Sequence, residues 1–132
     1  MTKNYYIALR FIGRPDIHMT LGYYKNLHPS GLRDLIKRVD DIFAIFRHEP
    51  FTLISDSVAY YGPQHSVRAL TINHPWAKPA WVTALTEINN PERDKTYGPW
   101  VPHITCNDNE LILQAEAVAI MQKKMEVASW EL

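Results

Sequence analysis

Residues Ile17 to Tyr24, reading IHMTLGYY, alternate between two kinds of side chain. Successive side chains of an extended strand point to opposite faces. Ile17, Met19, Leu21 and Tyr23 would therefore share one face, and His18, Thr20, Gly22 and Tyr24 the other. The first face is core material. The second carries an imidazole, a hydroxyl, a bare stretch of backbone and a phenol. A period of two with this division predicts a strand of a sheet that is buried on one side and free to bind on the other.

The pattern returns in PHITC, where His103 and Thr105 share one strand face and Ile104 and Cys106 take the other. One H-x-T carries little weight, because a strand histidine bonded to nearby backbone explains it. Two copies are harder to dismiss when each is matched by an aliphatic strand, YIALRF for the first and VRALTI for the second.

The rest of the chain reads as strands and helices around these motifs. YYIALRF is a strand ended by Gly13 and Pro15. Pro29 and Ser30 open a helix whose Leu32, Leu35, Ile36, Val39, Ile42, Phe43 and Phe46 repeat at helical spacing, with Pro50 beyond its end. FTLISDSVAYY and SVRALTINH read as two strands joined through Gly62 and Pro63, and AWVTALTEI as a short helix stopped by Asn89, Asn90 and Pro91. A polar loop, NNPERDKTYGP, leads to a strand, WVPHITC. From Asn109 to Met125, the spacing of Leu111, Ala115, Val118, Met121 and Met125 predicts a helix, although ELILQ also suits a strand, and VASWEL reads as a last strand. The order predicts an α+β fold with internal pseudo-symmetry between two similar halves. No linker separates the halves, so residues 1–132 are expected to form one domain.

Folded about a pseudo-two-fold axis, the motifs would surround one cleft with two imidazoles and two hydroxyls. Phosphoryl transfer needs a base on the attacking oxygen and an acid on the leaving oxygen, roughly in line across phosphorus. Histidine serves either role near neutrality. Threonine hydroxyls can donate to the non-bridging oxygens, where charge gathers in the transition state.

The paired motifs HMTLGYY and PHITC, with YYIALRF upstream, resemble those of the 2H phosphoesterase superfamily. That superfamily includes 2′-5′ RNA ligase-like proteins, cyclic nucleotide phosphodiesterases, RNA-end processing enzymes and phage enzymes that degrade immune cyclic nucleotides. The resemblance implies a bilobal α+β fold, its two pseudo-symmetric halves lining a central cleft with antiparallel sheets and carrying helices outside. It also implies metal-independent catalysis by His18 and His103, with Thr20 and Thr105 binding phosphate. It also admits an RNA-end processing or 2′-5′ RNA ligase-like enzyme. A non-catalytic nucleotide-binding module is the alternative of another class, and both intact histidines weigh against it. The second motif continues Cys106-Asn107-Asp108, where many RNA-directed members carry leucine and then a basic residue, which favours a small nucleotide or short oligonucleotide as substrate. Phage relatives extend that class to cyclic dinucleotide or cyclic oligonucleotide signals.

Charge agrees with a compact substrate. Fourteen basic residues balance fourteen acidic ones, so there is no basic field of the kind that holds duplex DNA or an anionic membrane. Tyr24, on the His18 face, is a candidate for stacking on a base. Tyr6 and Arg10 share a face of the first strand and would stack and pair with phosphate if that face lines the cleft. Trp76 and Trp100 flank the strands of the second half and are further candidates for base contact, with core packing as the alternative.

Several other chemistries lack support. There is no H-x-H, H-E-x-x-H or paired-cysteine spacing for a metal, no phosphate-cradling glycine loop and no G-x-S-x-G elbow, so no cofactor is expected. His28, His48, His65 and His74 are dispersed near turns and helix ends and read as solvent-exposed. The lone Cys106, on the core-facing parity, cannot form an internal disulfide. With no secretory pattern in MTKNYYIALRF, it points to a cytoplasmic protein.

Overall fold

The computed structural model describes residues 2–46, 49–72, 76, 78–88, 102–107 and 112–122. β1 (Lys3–Phe11) and β2 (Arg14–Leu27) form an antiparallel hairpin, and Gly13, at φ +75°, takes the left-handed conformation that the two-residue turn between Phe11 and Arg14 requires. Then follow α1 (Pro29–Ile45), β3 (Phe51–Ile54), β4 (Ser57–Tyr61), a single 3-10 turn (Pro63–His65), β5 (Val67–Thr71), α2 (Ala80–Thr86), β6 (His103–Thr105) and β7 (Ile112–Gln122). Two antiparallel sheets result, in the strand orders β2-β1-β7-β3 and β4-β5-β6.

One face of each sheet builds the core. Ile7, Leu9 and Phe11 of β1, Ile17, Met19 and Leu21 of β2, and Leu70 and Ile104 of the second sheet are buried in one continuous cluster. α1 contributes Leu35 and Val39, with Ile42, Phe43 and Phe46 packed beside them, which is most of the apolar stripe its spacing predicts, although Ile36 of that stripe is exposed. α2 contributes Trp81, Val82 and Leu85. Each fully buried aliphatic side chain of this kind stabilises the fold by about 1.5–3 kcal/mol. No described helix is long and apolar enough to cross a membrane.

Three sequence expectations are corrected. The segment Asn109 to Met125 is not a helix where it is described: Ile112–Gln122 is β7, which pairs with β1 from Tyr5↔Gln122 to Phe11↔Ala115 and with β3 from Phe51↔Ala115 to Ile54↔Ile112. Its alanines, glutamate and glutamines favour helix locally. Two unpaired strand edges flank the segment, however, and satisfying both rows of backbone groups outweighs that preference. FTLISDSVAYY is not one strand but two. It breaks at Ser55 and Asp56, where the chain passes from the first sheet to the second, and the Asp56 N–H donates to the Thr71 carbonyl at 3.1 Å.

The third correction concerns Tyr24. The β1–β2 register runs Arg10↔His18, Leu9↔Met19 and Ala8↔Thr20, then slips to Ile7↔Gly22, Tyr6↔Tyr23 and Tyr5↔Tyr24. The extra residue, Leu21, is a bulge, and it reverses the facing of everything after it. Tyr24 is therefore fully buried in the core and cannot stack on a base, while Tyr23 moves to the face of His18. Gly22 belongs to the same device. A Cβ there would stand 3.1 Å from the Tyr24 hydroxyl, so the bare backbone lets the phenol fold over it. The strand VASWEL, the loop NNPERDKTYGP, Trp100 and Asp108 lie outside the described residues.

Candidate functional site

The faces of the two sheets opposite the core carry the motifs, and the sheets repeat each other residue for residue. In the first, Ala8 of β1 lies opposite Thr20 of β2, and Arg10 opposite His18. In the second, Ala69 of β5 lies opposite Thr105 of β6, and Thr71 opposite His103. YIALRF and VRALTI thus occupy matching places beside their H-x-T strands. The small alanine in each leaves room above the sheet for the neighbouring rings, and both alanines are fully covered.

β2 packs against β6, which brings the two motif strands together. His18 and His103 are each half-buried, Thr20 is half-buried and Thr105 is exposed. Burial foremost, then the Arg10 guanidinium, then His103, all disfavour the charged form of His18 and hold its pKa below the usual imidazole value. Arg10 is exposed beside His18, as expected from its strand parity.

Each histidine also has an aromatic neighbour. Tyr6 leans toward His18, ring centroids 5.1 Å apart and planes tilted by 32°. Burial, and secondarily Tyr23 beside it, raises the pKa of Tyr6, so this phenol keeps its proton at neutral pH. In the second half Val67 stands where Tyr6 stands in the first, and the ring comes instead from the next strand. Tyr61 of β4, paired with Val67, approaches His103 to 5.1 Å at a tilt of 40°. Tyr61 was not singled out by sequence. The signal available was the missing aromatic at Val67, which leaves a position for a neighbouring strand to fill.

Trp76 is not brought to the histidines. It stacks on Phe51 at 6.0 Å and 13°, Phe51 meets Trp81 edge-on at 5.5 Å, and Trp81 lies 5.9 Å from Phe43, a cluster on the helical side of the first sheet. Lys78 lies 5.8 Å from the Trp76 ring centre. Core packing, the alternative weighed for this tryptophan, is what is found. Cys106 is half-buried against the core, and its carbonyl accepts a hydrogen bond from Arg68 at 3.1 Å. Among the described residues no three His, Cys, Asp or Glu side chains gather as a metal site.

No protein-family model and no curated protein matches this chain. Solved structures do. Escherichia coli LigT complexed with ATP is similar over 95% of this chain and 89% of that one, at a TM-score of 0.58 and 14% identity. A structure described as a phosphoesterase is similar over 92% of this chain and 96% of its own, at 0.52 and 12%. LigT complexed with 3′-AMP is similar over 94% and 97%, at 0.50 and 12%. LigT is a 2H phosphoesterase, so the fold implied by the paired motifs is the fold found.

Proposed function

We propose that this protein is a metal-independent phosphodiesterase that cleaves a small nucleotide or short oligonucleotide. The observation that carries the reading is the duplicated half-site. Two H-x-T strands stand at matching registers in adjacent sheets, close enough for one imidazole to depress the pKa of the other. Accidental histidines on two strands have no reason to share a register and a cleft.

Depression of its pKa makes His18 the general base, because it favours the neutral imidazole at the start of the cycle. His18 takes the proton from the attacking oxygen, a water or a 2′-hydroxyl of the substrate, as that oxygen bonds to phosphorus. The P–O bond to the leaving oxygen breaks, and His103 delivers its proton there. Thr20 and Thr105 donate to the non-bridging oxygens, and Arg10 adds positive charge beside His18. These groups supply the electrostatics within the chain. Tyr6 beside His18 and Tyr61 beside His103 give each histidine an aromatic neighbour suited to stacking on a base.

A cyclic dinucleotide or cyclic oligonucleotide signal matches this two-sided site and the zero net charge. Attack by a free 2′-hydroxyl on the neighbouring phosphorus would leave a 2′,3′-cyclic end. LigT structures holding ATP and 3′-AMP support a nucleotide in such a cleft. The test is incubation of the protein in EDTA with cyclic dinucleotides, a 2′,3′-cyclic mononucleotide and a single-stranded RNA, with products read by mass spectrometry. Cleavage of a compact nucleotide that needs both histidines is expected. Preference for the long RNA, weakening steeply with salt, would overturn the substrate class.

A further inference from the structure

Thr105 also lines a pocket of about 530 Å³, whose wall includes Arg14 and Asp16 at the start of β2, Ser66 just before β5, Arg68 within it, and Asn107 just past β6. Neither histidine lines it. It therefore adjoins the phosphate-binding side of the second half-site and is not the place where a diester would be cut.

Its chemistry is that of an oxyanion subsite. Arg68 Nη1 donates to the Cys106 carbonyl at 3.1 Å, which fixes the guanidinium one residue beyond Thr105. Arg14 is held by a two-point pair, its Nε and Nη2 each 3.0 Å from an Asp16 carboxylate oxygen. The Arg14 hydrogen bond foremost holds the Asp16 carboxyl below the usual carboxylate range, so an anion entering the pocket faces one carboxylate and two guanidiniums. Among the described residues of the wall, the charged groups are these three. Planar guanidinium forks with a hydroxyl and an amide alongside are groups that bind phosphate oxygens in two-point geometry.

Building on the phosphodiesterase reading, we propose that this pocket is a subsite for a second phosphate of the substrate, separate from the one that is cut. The enzyme then distinguishes a dinucleotide bearing a terminal phosphate from the same dinucleotide without it. Arg68 is the main determinant, because the Cys106 carbonyl fixes its guanidinium beside Thr105, whereas Arg14 turns its fork toward Asp16.

The experiment compares one diribonucleotide in three forms: unphosphorylated, 5′-phosphorylated and 3′-phosphorylated. Wild-type protein should show a KM about tenfold lower for one phosphorylated form, the size expected of one charge-assisted contact. Arg68→Gln should bring that KM ratio close to one, while Arg38→Gln on the exposed side of α1 should leave the ratio as in wild type. Asn107→Asp, at an exposed position, should also reduce it, and provides the test if Arg68→Gln does not fold. Equal KM for all three forms in wild type, or a ratio that survives both pocket variants, would overturn the subsite. If none of the three is cut, the phosphodiesterase reading fails on this substrate and the subsite is judged by calorimetry. Tighter, Arg68-dependent binding of a phosphorylated form supports it, and equal binding sinks it.

Discussion

Tyr61 brings its ring to 5.1 Å from His103 from a strand that is not paired with the one carrying the histidine, because β5 lies between them. Tyr6 reaches the same separation from His18 on an adjacent strand. Two routes to one arrangement motivate a test of both rings in substrate binding. Replacing either tyrosine by leucine should raise KM for a compact nucleotide by about 5- to 100-fold, the range that loss of one base–aromatic stack spans, with a smaller change in kcat. Steady-state kinetics on both variants checks this. Unchanged KM in both would remove the tyrosines from substrate binding.

His18→Ala and His103→Ala should each lower kcat by about 10²- to 10⁴-fold while the fold survives, since each removes one of two proton transfers. Circular dichroism with single-turnover assays is the measurement. A folded double variant at wild-type rate would refute the mechanism.

The pH profile carries a sign. Burial, Arg10 and His103 disfavour the His18 imidazolium, so its pKa is depressed and neutral His18 persists to lower pH than a free imidazole would. As pH falls, activity is lost when His18 takes a proton, so the acid limb of kcat/KM should lie below about 6.5. Arg10→Gln removes one of the opposing charges, lets His18 bind its proton more readily, and should move that limb to higher pH. A limb that stays in place or moves down would contradict the assignment of His18 as the base.

Turnover should persist in excess EDTA, because the proton transfers and the charge stabilisation all fall to side chains of the chain itself. Complete loss in chelator, restored by one divalent ion, would count against the proposed mechanism.

Tyr24→Ala should destabilise the protein by about 3–5 kcal/mol, as emptying a fully buried aromatic site does, with little selective effect on KM. Tyr23→Ala, on the half-buried cleft face, should cost far less stability. Urea unfolding of the pair decides which tyrosine is core.

Much of the site was legible because His18, Thr20, His103 and Thr105 need only period-two alternation to be placed, and the matching aliphatic strands supplied the pseudo-symmetry. α1 and α2 were legible from their apolar spacing and their proline signals. Parity failed at Tyr24, where the residue inserted at Leu21 reverses the face and nothing within IHMTLGYY announces it. Local preference failed for β7, since alanine-rich sequence is extended here only because β1 and β3 wait on either side. Tyr61 is a pairing across sequence-distant strands, which periodicity within one segment does not register.

The place of β7 also orders the assembly of the molecule. Tyr5 pairs with Gln122, so the strand that closes one side of β1 is synthesised long after β1 itself. Until then the β1–β2 hairpin has an open edge and its backbone groups on that side face water. The β4–β5 pair, by contrast, closes across a short turn as soon as it is made. Closing a large loop costs entropy before its contacts return any stability, so completion of the first sheet is expected to follow that of the β4–β5 pair. His18 and Thr20 stand on that sheet. Activity should therefore emerge only with the last steps of folding, and a nascent chain that has passed β6 already carries both motifs without yet having a cleft to hold them.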